Sequence, residues 1–147
     1  MFSDLSKRSR RMLIISNYLS LIIMEILYYF ALIRSNLPHF FDFIGIFMLI
    51  ITGVTFVYVY VKTGLWKLTH SKTDKLDERQ IELTHRALSK SYALFAVLCL
   101  SIMMIHATLY RLLPENFFII TMPLVAGLIY CSHILPASII AWGDEKL

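Results

Sequence analysis

Four long apolar stretches dominate the pattern of the chain, at about 12–33, 41–61, 91–110 and 117–141. At ~1.5 Å rise per residue, each can cross a hydrocarbon core about 30 Å thick as a helix. The gaps at 34–40 (RSNLPHF) and 111–116 (RLLPEN) are short and carry Pro38 and Pro114, as suits tight turns between antiparallel helices. The gap at 62–90 is long and charged. The pattern therefore predicts one all-α domain spanning residues 1–147, an integral membrane four-helix bundle.

The long gap has helical character of its own. Ser71-Lys72-Thr73-Asp74 matches a capping box, and no Gly or Pro follows Asp74 until Pro114. Asp77 and Glu78 then fall in a first turn, where carboxylates complement the helix dipole. Leu76, Leu83 and Ala87 recur at helical spacing, with Glu78, Arg79, Glu82 and Arg86 on other faces. The expectation is one continuous helix from about Asp74 through Tyr110, in which an amphipathic cytoplasmic segment extends the third span.

Composition sharpens the class. Hydrophobic residues make up 58% of the chain, against roughly 45–50% in soluble globular proteins. The mean hydropathy is +0.67. With 16% charged residues, such a chain cannot cover a water-facing surface, which excludes a soluble enzyme and a disordered linker. The net charge of +4 reads as a topology signal and not as a nucleic-acid surface. Twelve of the fourteen Lys and Arg residues precede the first span, fill the central gap or close the tail, leaving Arg34 and Arg111 on the other side. Both termini and the central segment are therefore expected in the cytoplasm. Ser9-Arg10-Arg11-Met12-Leu13 has a twin-arginine look, but the apolar run behind it holds Glu25 and ends in Arg34 without a small-residue cleavage site, which predicts an uncleaved span.

Glu25 is the most expensive residue in the spans, costing roughly 2.5 kcal/mol or more inside a bilayer unless it is paired or protonated. Counted from the inner ends of their helices, Glu25 lies ~20 Å deep and His106 ~22 Å deep, which makes them a candidate intramembrane pair. Such a pair can relay a proton, hold a cation, bind a protonated substrate or simply fix helix packing by a hydrogen bond. Asn17 and His133 form a second candidate polar pair by the same count. A bis-histidine haem needs two ligands at one depth, and His106 and His133 differ by more than about 10 Å. His39, Asp42 and Glu115 lack metal-ligand spacing, and Cys99 and Cys131 form no CxxC pair, so neither cofactor nor metal is expected. The sequence carries no GxSxG, HExxH or GxxxxGK motif, and no enzyme is expected.

Leu76-Asp77-Glu78-Arg79-Gln80, Arg86-Ala87, Ser91-Tyr92 and the run from Leu135 through Trp142 (LPASIIAW) resemble a group of small four-helix bacterial membrane proteins without an assigned activity. The resemblance covers residues 76–142, about half of the chain. It implies a bacterial inner-membrane setting and transfers no catalytic residue. Two functional readings follow from the residues. In the first, the chain is an interaction, accessory or assembly subunit, bathed in membrane lipid and docking on a protein partner or on itself through Asp77, Glu78, Arg79 and Gln80. In the second, it is a small proton-coupled transporter or ion-conducting oligomer using Glu25 and His106.

Overall fold

The computed structural model describes residues 6–33, 38–72, 75–112 and 120–143. Its helices are α1 (Lys7–Ile33), α2 (Phe40–Phe56), α3 (Leu65–His70), α4 (Glu78–Leu112) and α5 (Met122–Trp142), with a π-helical turn at Val57–Val61 that continues α2. Four helical segments, namely α1, α2 with its π turn, α4 and α5, are long and apolar enough to cross a membrane. The chain is an all-helical, multi-pass membrane protein. The expected turns at 34–37 and around Pro114, the Thr73-Asp74 half of the expected capping box, and Glu115 lie outside the described residues.

The end of α2 is shaped by a change of helical period. The Lys62 amide bonds the Val57 carbonyl five residues back, at 2.9 Å, and the Thr63 hydroxyl caps the Val59 carbonyl. This wider turn places both Val59 and Tyr60 in the interior, each fully buried. Gly64 then reverses the chain at φ 75°, a left-handed conformation that glycine adopts without strain. The short α3 that follows buries Leu65 and Leu68, so part of the presumed cytoplasmic loop is packed structure.

The start of α4 differs from the expected one. The helix begins at Glu78, and its cap is Asp77: the Gln80 amide donates to Asp77 Oδ1 at 2.7 Å, and the Asp77 amide donates to Gln80 Oε1 at 3.4 Å. This reciprocal box satisfies two backbone donors at once. Leu76, just ahead of it, packs on the core. The helix then runs 35 residues to Leu112. That length is ~52 Å, about 20 Å more than the hydrocarbon core requires.

Helix α1 packs against both α2 and α5, and α5 packs against α4 as well. The buried core gathers at one end, where Tyr60, Leu65, Ile134, Ala87 and Ala141 meet. Pro136, Ala137, Ser138 and Ala141 of α5 are all buried there, which gives the LPASIIAW stretch a packing role: small side chains let α1 and the π turn approach closely. Helix α4 is peripheral. None of its most apolar stretch is buried within the chain, against 22% for α1, 28% for α2 and 39% for α5.

Candidate intramembrane polar site

Two polar clusters join the three inner elements. In the first, Asn17, fully buried on α1, donates through Nδ2 to the Thr52 carbonyl at 3.0 Å and to Thr55 Oγ1 at 2.8 Å. The Tyr130 hydroxyl donates to Asn17 Oδ1 at 3.1 Å, which ties in α5. Ser20, one turn on, sits 2.8 Å from Thr52 Oγ1 and donates to the Asn17 carbonyl. In the second cluster, the Ser138 hydroxyl donates to the Ile134 carbonyl at 2.9 Å and so is left to accept from Tyr60 at 2.7 Å and Tyr18 at 3.0 Å. Every side chain in the two clusters makes at least one hydrogen bond, as a low-dielectric interior demands.

Glu25 stands two turns outward from Asn17 on α1, half-buried against α5. Its neighbour there is Gly127. A Cβ built on that glycine would lie 2.5 Å from Glu25 Oε1 and 3.1 Å from its carboxyl carbon, so the carboxyl group occupies the space a side chain would fill. Beside it a cavity of about 410 Å³ opens between α1, α2 and α5. Among the described residues, none forms a hydrogen bond or ion pair with Glu25. A larger groove of about 660 Å³ runs between α1 and α5 nearer the Trp142 end, with Lys90 of α4 at its edge. Its two hydroxyls, on Tyr18 and Ser138, already serve each other.

Neither expected pair is joined by a hydrogen bond among the described residues. His106 lies on α4, which packs along α5, while Glu25 on α1 packs against Gly127 of α5. His106 Nδ1 is buried without a hydrogen-bond partner among the described residues. Asn17 is satisfied by Thr52, Thr55 and Tyr130, so His133 is not its partner. His133 points outward, its Nδ1 2.8 Å from the Ile129 carbonyl and its ring parallel to that of His70 at 6.1 Å. His70 in turn stacks on Trp66 at 3.9 Å.

Of the docking candidates, Asp77 and Gln80 are engaged in the cap, while Glu78 and Arg79 are exposed on the first turn. The residues missed from sequence were Thr52, Thr55, Tyr130, Ser138 and Gly127. A signal existed for two of them: Asn17 with Ser20 and Thr52 with Thr55 are polar pairs at i, i+3 spacing in otherwise apolar spans. Compared with known proteins, the chain matches no family model, no curated protein and no solved structure.

Proposed function

We propose that this chain is an accessory or assembly subunit of a complex in a bacterial inner membrane, with both ends and the 62–90 segment in the cytoplasm and with α4 as its docking element. The observation that supports this reading is the second apolar face of α4. Leu83, Thr84, Ala87 and Ser91 turn toward the rest of the chain. Ile81, His85, Leu88 and Tyr92 form a separate stripe at helical spacing and stay exposed, Tyr92 at 79% and Leu88 at 45%. The charged face is a third one, where Glu82 and Arg86 pair at 2.5 Å. An apolar stripe on a helix that extends beyond the hydrocarbon core is what a partner surface needs.

The reading moves the contact from the Asp77–Gln80 cap to the helix side. Replacing Ile81, Leu88 and Tyr92 together by serine should leave the bundle folded and strip associated chains from protein purified in mild detergent. Retention of every associated chain would count against it. Transport through a Glu25–His106 pair has less support, because Glu25 packs against Gly127 and His106 Nδ1 bonds none of the described residues.

A further inference from the structure

The cavity beside Gly127 sets a carboxyl group against mostly apolar walls. Leu21, Leu49 and Pro123 supply apolar surface, and Tyr28, Phe56 and Tyr130 supply rings. Of the hydroxyl-bearing side chains that line it, Tyr130 donates to Asn17 Oδ1 and Thr52 donates to the Met48 carbonyl, while the Tyr28 hydroxyl bonds none of the described residues. Its volume of about 410 Å³ falls in the ~300–1,000 Å³ range of small-molecule sites. Room for the carboxyl comes from the missing side chain at position 127, since a Cβ there would push the carboxyl group aside.

The chemistry of these walls selects a ligand class. A carboxylate in a low-dielectric chamber attracts positive charge and repels anions. Ring faces within ~6 Å of a cation add to that attraction. A hard divalent cation such as calcium or magnesium is a poor match, because it takes six or more oxygen ligands and the cavity offers one carboxyl and the Tyr28 hydroxyl. The remaining fit is a single positive charge on an apolar body. We propose that the cavity between α1, α2 and α5 binds a hydrophobic organic monocation, with Glu25 as the counter-ion and Tyr28, Phe56 and Tyr130 as the ring walls. This site uses different helices from the α4 stripe, and either stands without the other.

The test is equilibrium dialysis of the full chain in lipid nanodiscs, against tetraphenylphosphonium and the isosteric anion tetraphenylborate, each corrected for empty discs. The expected result is saturable binding of the phosphonium and none of the borate. Glu25→Gln should weaken phosphonium binding about tenfold or more. Gly127→Ala, which takes the place of the carboxyl group, should weaken it too, and Glu82→Gln on the exposed face of α4 should not. If Glu25→Gln fails to fold, the preference of the unaltered chain for the cation over the anion decides the matter. Equal binding of both ions, no saturable phosphonium binding, or a folded Glu25→Gln chain that binds as before would overturn the proposal.

Discussion

Arg11 and Trp142 grip each other across 131 positions of sequence: the guanidinium Nη2 donates to the Trp142 carbonyl at 3.0 Å and the Arg11 side chain lies 5.1 Å from the centre of the indole ring. The first turns of α1 and the last residue of α5 are thereby held at one end of the molecule. The cation also faces the carbonyl end of α5, where the helix dipole favours it.

That contact, with the distribution of Lys and Arg, sets the first prediction. In a background lacking Cys99 and Cys131, single cysteines at positions 39 and 120 should react with a membrane-impermeant thiol reagent added outside intact cells. Cysteines at positions 9 and 71 should react only after the membrane is opened. The reverse pattern would invert the proposed orientation, and a mixed one would contradict the number of spans.

Asn17 should be the most sensitive polar position in the spans. Asn17→Ala removes bonds to Thr52, Thr55 and Tyr130 in a site with no water to replace them. The expected loss is ~1–3 kcal/mol in denaturant titration of detergent-solubilised protein. Ser9→Ala at the exposed start of α1 should change stability by less than about 0.5 kcal/mol.

Gly127 and Glu25 should behave as a coupled pair. Gly127→Ala should cost no more than about 1 kcal/mol, because the new Cβ meets the far end of the flexible Glu25 side chain and pushes it aside. In a Glu25→Ala background the same change should be neutral or stabilising by up to about 1 kcal/mol, since alanine favours a helix over glycine and the carboxyl group is gone. Equal costs in the two backgrounds, measured by the same titration, would show that Glu25 points elsewhere.

The spans and their order were legible because a bilayer imposes a length and a polarity that few sequences meet by accident. The helical segment before the third span was legible from the absence of Gly and Pro, although its start was placed at Asp74 and the helix begins at Glu78. Two good caps lay close together, and only geometry shows that Asp77 and Gln80 serve each other. Glu25 was recognisable as costly. Its neighbour was not, because depth counting orders residues along the membrane normal and says nothing about which helix sits between two others. Glu25 packs against Gly127 of α5, and the signal that mattered was a glycine, a residue that leaves only space behind. The small α3 was hidden by its charges: Lys67 and His70 lie at its end, while Leu65 and Leu68 do the burying.

The cap itself gives a further prediction. Asp77→Ala should cost ~0.5–2 kcal/mol of local helix stability. The measurement is amide hydrogen exchange over residues 78–81, which should speed up while residues 95–105 keep their protection. Gln80→Ala should have a smaller effect in the same segment, its bond being the longer of the two.

The central claim, that α4 is a docking element, is tested most directly by site-specific photo-crosslinking in native membranes. A photoreactive side chain is placed in turn at positions 81, 88 and 92 on the exposed apolar stripe and at positions 79 and 86 on the charged face. The account predicts a protein adduct of defined mass from the three stripe positions and none from the charged face. Lipid adducts alone from positions 81, 88 and 92 would contradict it.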